Sequence, residues 1–159
     1  MTGWRLGYAL GNKEILKQMI KIHQYAIMCA PTVSQYAAIE AMYNGDQDVI
    51  YMRESYNQRR RFLYHELQRL GLPCFLPEGA FYMFPDIREF GMTSEDFALD
   101  LLREEKVAVV PGSAFGDCGE GFIRISYAYS IEELKEALLR IERYLNRKRS
   151  QKTESPKQV

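Results

Sequence analysis

Helices packed on a short, mostly antiparallel sheet, an α/β arrangement of the α+β kind, are what three stretches of this sequence call for. Asp46 can cap a helix that Gly71 and Pro73 stop, which leaves about 24 residues, near 36 Å at about 1.5 Å per residue. Gly121 to Tyr129, GFIRISYAY, alternates with period two: Ile123, Ile125, Tyr127 and Tyr129 share one face, and Phe122, Arg124, Ser126 and Ala128 share the other. Leu72 to Asp86, LPCFLPEGAFYMFPD, is apolar and turn-punctuated, and reads as two short strands joined around Pro77-Glu78-Gly79.

The remaining elements follow in order. WRLGYAL, inside Met1 to Leu10, is strand-like and has no capping residue before it. Asn12 caps a helix whose Ile15, Leu16, Met19, Ile20, His23, Tyr25 and Ile27 fall at helical spacing, with His23 a helix-face residue and no ligand. Pro31 breaks it, and Thr32 to Tyr43 forms a second helix ended by Asn44-Gly45. The charge-dense Arg53 to Arg61 is interrupted by Glu54 and reads as a solvated helix face. Thr93 with Asp96 starts a helix to about Glu105 that points Phe97, Leu101 and Leu102 inward. Val107 to Val110 is expected as a short buried strand, left by the turn Pro111-Gly112-Ser113. The glycines at 112, 116, 119 and 121 do not make a dinucleotide-binding GxGxxG. Ser130 and Glu133 box the start of a last helix striped by Ile131, Leu134, Leu138, Ile141 and Leu145. From about Arg147 the chain turns polar, RKRSQKTESPKQV, which predicts a disordered tail over 149–159.

The totals bound the function. Lys plus Arg and Asp plus Glu number 21 each in 159 residues, so nothing in the charge calls for nucleic acid or an anionic membrane as partner. Cys29, Cys74 and Cys118 are odd in number and widely spaced, with only His23 and His65 beside them, which supports neither a disulfide framework nor a metal site. No apolar run approaches the roughly 18 residues of a membrane span and the N-terminus lacks a signal peptide's regions, so a cytoplasmic protein is expected.

Arg124 is the residue with the most chemistry in it. Flanked by Phe122 and Ser126, its guanidinium is a planar five-donor fork suited to holding a carboxylate bidentately. On this stretch alone the other reading, an arginine on the wet face of an antiparallel strand, stays open.

Five blocks, TGWRLGY, CAPTVSQYAA, GAFYMF, PGSAFG and FIRISYA, together resemble the class I and II, fold-type I, pyridoxal-phosphate aminotransferases, in that family's order and from Met1 to about Arg147. The resemblance implies that 1–50 is a C-terminal remnant of a large cofactor-binding domain, that 51–148 is the small C-terminal domain, and that 149–159 is tail. It implies that Arg5 binds the cofactor phosphate, that Arg124 binds the substrate carboxylate, and that Phe81 is an aromatic close to the substrate. Gly3 and Gly7 would let the backbone pass close to neighbouring elements. The family's Schiff-base lysine falls a few residues before the position of Met1, so this chain offers no catalytic residue and by itself should not transaminate. The parent would bind pyridoxal 5'-phosphate, exchange an amino group between an amino acid and a 2-oxo acid, and form a homodimer. Two alternatives remain: the effector-binding domain of a regulator, and a lyase or cyclopropane-forming synthase using the same cofactor.

Overall fold

The computed structural model describes residues 1–154, and its contacts divide the chain into two compact units, Met1–Met52 and Arg53–Val159, with the division inside a long helix.

The first unit holds a 3-10 turn at Thr2–Trp4, α1 (Lys13–Ala26), α2 (Thr32–Asn44) and the start of α3 (Asp46–Arg69). Asn12 caps α1 by accepting from the Glu14 amide at 2.8 Å. The strand expected at WRLGYAL is absent: with no partner strand in this unit the backbone from Arg5 to Gly11 is irregular. Among the described residues of this unit only Ser34 is buried, its hydroxyl donating to the Trp4 carbonyl at 2.9 Å. Gly3 and Gly7 face open space, so neither marks a close approach within the unit.

The second unit has a three-stranded antiparallel sheet in the order β1 (Tyr82–Met83), β3 (Ile123–Ser126), β2 (Val110–Pro111). Tyr82 pairs with Ser126, Met83 with Ile125, Val110 with Arg124 and Pro111 with Ile123. One face of the sheet, with Met83, Ile123 and Tyr127, joins Leu63 and Leu67 of α3, Phe97 and Leu101 of α4 (Ser94–Glu105), and Leu138, Ile141 and Leu145 of α5 (Ile131–Glu154) in a single core. Each such side chain contributes about 1.5–3 kcal/mol on burial. Tyr144, which the apolar stripe omits, is also fully buried, with its hydroxyl donating to Asp100 at 2.9 Å.

The Ser130–Glu133 capping box forms in full, each backbone amide 3.2 Å from the other's side chain; at Thr93 the Asp96 amide donates to Thr93 Oγ1 at 3.1 Å, while the Asp96 carboxylate accepts from the Thr93 hydroxyl at 2.7 Å.

The sequence expectations fail where tertiary pairing decides. Leu72 to Asp86 yields one two-residue strand, Tyr82–Met83 on β3, and the Leu72–Leu76 part stays irregular, touching the rest of the stretch through the Asp86 amide on the Pro73 carbonyl at 2.9 Å. The expected strand Val107–Val110 shrinks to Val110–Pro111: the same register would set Val109 against Ile125 and Ala108 against Ser126, but the ladder stops at Val110. Leu102 is 42% exposed, on the flank of α4 away from Phe97 and Leu101, and Tyr129 lies past the end of β3 and is 58% exposed. The tail expected from Arg147 is helical to Glu154, because Arg149 donates to the Leu70 carbonyl at 2.9 Å and Lys152 to the Glu89 carbonyl at 2.5 Å. The rest of that expectation, residues 155–159, lies outside the described residues.

Candidate functional site

β3 is the central strand, so Arg124 has a neighbour on each side. Residues paired across an antiparallel ladder point to the same face. Tyr82, opposite Ser126, and Val110, opposite Arg124, therefore share the Arg124 face, while Met83 and Ile125 share the core face. The Asp86–Phe122 bridge continues the same register. A ring of the loop that follows β2 completes the setting: Phe115 ends the 3-10 turn Gly112–Phe115.

The Arg124 guanidinium carbon lies 4.2 Å from the Tyr82 ring centroid and 4.6 Å from that of Phe115. Both separations are within cation–π range. Phe84 extends the aromatic surface, 6.0 Å from Phe115 and stacked 5.5 Å from Phe122. Phe84 and Phe115 are 36% and 48% exposed, so this face opens away from the core. Arg124 is half-buried, and among the described residues its guanidinium makes no hydrogen bond or ion pair. By contrast, Arg140, on the same ≈ 820 Å³ cavity that Arg124 borders, is bonded to Glu136 at 2.7 Å. A half-sheltered guanidinium with its fork unused is set up for an anion from outside, and a carboxylate matches it bidentately.

Phe81 is on the opposite face. Its carbonyl accepts from the Tyr127 amide at 2.9 Å, and its ring stacks on Tyr56 at 5.9 Å beside a second cavity of ≈ 620 Å³ that it borders with Asn57 and Arg60. Tyr82 stands between it and Arg124, 4.6 Å from Phe81 centroid to centroid. The structure thus brings Arg124 together with Tyr82 and Phe115, and does not bring it together with Phe81. The period-two rule applied to GAFYMF could have found Tyr82; Phe115 comes from a loop and carried no periodic signal.

Arg5 belongs to the first unit. It sits in the left-handed region at φ 50°, ψ 45°, with its amide on the Thr2 carbonyl, and its exposed guanidinium reaches the same carbonyl at 3.5 Å. A non-glycine residue there is uncommon, and such strain concentrates at functional positions. Among the described residues no cluster of His, Cys, Asp or Glu could hold a metal, and Cys29, Cys74 and Cys118 are free thiols. Burial pushes the Cys74 thiol above its usual range, which makes it a poor nucleophile. No helix among the described residues is long and apolar enough to cross a membrane.

The family described as aminotransferase class I and II matches residues 1–141. The chain belongs to that family. Aspartate aminotransferase of Pyrococcus abyssi is 46% identical over 151 residues, which is 94% of this chain and 39% of that protein. Aromatic-amino-acid aminotransferase 2 of Thermococcus litoralis is 43% identical over 151 residues, again 94% of this chain and 39% of its own. The crystal structure of an aromatic aminotransferase from Pyrococcus horikoshii OT3 superposes with a TM-score of 0.86 at 46% identity, covering 94% of this chain and 40% of that one. This chain therefore spans about two fifths of the aminotransferases it matches. Members of the family use pyridoxal phosphate and act on amino acids and 2-oxo acids. The residues present fit part of that cofactor: the exposed Arg5 fork, contacting only a backbone carbonyl among the described residues, suits a phosphate dianion.

Proposed function

We propose that this chain is the C-terminal part of a cytoplasmic, pyridoxal-phosphate-dependent aminotransferase, with 1–50 the end of its large domain and 51–148 its small domain. The observation that carries the reading is Arg124, a half-buried guanidinium within cation–π distance of Tyr82 and Phe115 and with no ion-pair partner among the described residues. Arg124 would take the carboxylate of the incoming amino acid or 2-oxo acid. The two rings restrict the fork, so less side-chain entropy is lost when the substrate binds. Arg5 would hold the cofactor phosphate. Phe81 would act from behind, its ring setting the position of Tyr82. The bound cofactor supplies the electron sink that amino-group exchange requires.

On this reading the chain's own part in the reaction would be binding and orientation. The exposed apolar side chains of the first unit, Tyr8, Ile15, Tyr25 and Tyr36 among them, would be covered by the remainder of the large domain and by the second subunit of a homodimer.

The test compares the purified 159-residue chain with the full-length enzyme, both supplied with pyridoxal phosphate, an amino acid and a 2-oxo acid. Amino-group exchange by the full-length protein and none by the chain is the expected result. Exchange by the chain alone would overturn the assignment of roles. Release of 2-oxo acid from cysteine-type substrates, with no exchange, would make the parent a lyase.

A further inference from the structure

Phe115 poses a problem of position. Its ring is 48% exposed, so core packing does not hold it, yet it lies 4.6 Å from the Arg124 guanidinium. What fixes it is the backbone of its loop, and that backbone is tied at two points.

The first tie is between glycines. A Cβ on Gly112 would meet the Gly119 carbonyl oxygen at 1.9 Å, and one on Gly119 would meet the Gly112 carbonyl oxygen at 2.1 Å, so the two ends of the loop touch where no side chain fits. The second tie is polar and runs to α4. Glu120 accepts from the Ser94 amide at 2.7 Å with one carboxylate oxygen and from the Ser94 hydroxyl at 2.9 Å with the other. A serine has one hydroxyl proton, and that of Ser94 goes to Glu120. Ser94 Oγ is then an acceptor toward Ser113, taking its amide at 3.3 Å and its hydroxyl at 3.1 Å. Ser94 is fully buried at the first turn of α4, where the helix dipole favours the Glu120 charge. The proton order therefore runs one way, from Ser113 to Ser94 to the ionised Glu120, and orients Ser113 two residues before Phe115.

We propose that Glu120, acting through Ser94 and Ser113, is a positioning residue for carboxylate binding, which keeps Phe115 over the Arg124 guanidinium. The inference rests on the reading of Arg124 as the carboxylate site. The Glu120 carboxyl is held below the usual glutamate range by the Ser94 amide, and then by the Ser94 hydroxyl, so the anchor is charged at neutral pH.

The experiment uses the full-length enzyme and the variants Glu120→Gln, Ser113→Ala, Phe115→Leu, Glu120→Gln with Phe115→Leu, and Arg124→Ala. Glu120→Gln is nearly isosteric; Ser113→Ala removes only the hydroxyl of the loop and carries the test if the first variant does not fold. Each single anchor variant is expected to raise KM for the amino acid about three- to tenfold with kcat changed by less than about twofold, the range of a weakened cation–π contact. In the double variant the KM rise should equal that of Phe115→Leu alone, a coupling that a generally loosened fold would not show. Multiplying effects in the double variant, an unchanged KM, or a fall in kcat alone would overturn the inference. Arg124→Ala separates the two levels. If it leaves KM unchanged, the carboxylate reading fails and this inference with it. If it raises KM while the anchor variants do not, only the anchor fails.

Discussion

Cation–π contacts leave a guanidinium's N–H donors free, and Arg124, 4.2 Å from the Tyr82 centroid and 4.6 Å from that of Phe115, is half-buried with no ion-pair partner among the described residues. Tyr82 is the more regular of the two supports, since it lies on the neighbouring strand in a register fixed by its pairing with Ser126. Replacing it by leucine keeps the apolar contact and removes the π face. Tyr82→Leu in the full-length enzyme is expected to raise KM for the amino acid by about three- to tenfold in steady-state assays, with cofactor affinity unchanged. Arg124 itself was readable from the sequence because one charged residue interrupts an alternating apolar pattern. Its aromatic setting was only half readable: alternation separates Phe81 from Tyr82, whereas the position of Phe115 depends on contacts between Gly112, Gly119, Ser94 and Glu120 that are distant in sequence.

Apart from the end of α5, helix limits were legible to within a residue or so because they are written locally, in Asn12, Thr93, Ser130 and Gly71. Strands were not, since a strand exists only where a ladder with a partner actually forms, and none forms at Val107 to Val109 or Leu72 to Leu76 among the described residues. The extension of α5 was likewise invisible, being stabilised by bonds from Arg149 and Lys152 to groups around Leu70 and Glu89. Between α4 and α5 the buried Glu105 binds Arg143 at 2.8 Å and Arg147 at 2.7 Å. The hydrogen bond from Arg143, and then that from Arg147, holds its carboxyl below the usual glutamate range. A folded-state value below the unfolded one means that this stabilisation is complete above the unfolded pKa of about 4.3 and is lost as the pH falls through the folded value. Thermal unfolding should accordingly show Glu105→Gln with a lower Tm than the parent chain at pH 7, and the gap should close as the pH is taken below about 4. A gap independent of pH would assign the loss to shape alone.

The two units differ in what they bury. Arg53–Val159 encloses a continuous core from Leu63 to Leu145, whereas Met1–Met52 leaves Leu10, Tyr25, Met28 and Tyr43 between 76% and 95% exposed. On the proposed reading, the rest of the large domain and a second subunit would cover that surface. The purified 159-residue chain is expected to bind a hydrophobic dye and to elute above its 18.5 kDa monomer mass in size-exclusion chromatography with light scattering. A monodisperse monomer without dye binding would show that the first unit needs no partner. The motifs that gave the family in the sequence are those that bound this surface and the Arg124 face, which is why chemistry was easier to read here than strand limits.

The most direct measurement is the specificity constant of full-length Arg124→Ala for its amino acid substrate. Loss of a charge-assisted bidentate contact predicts a fall in kcat/KM of about a hundredfold, carried largely by KM, with Arg124→Lys recovering only part of it. An unchanged kcat/KM would return Arg124 to an ordinary strand residue and remove the central support for the proposed carboxylate site.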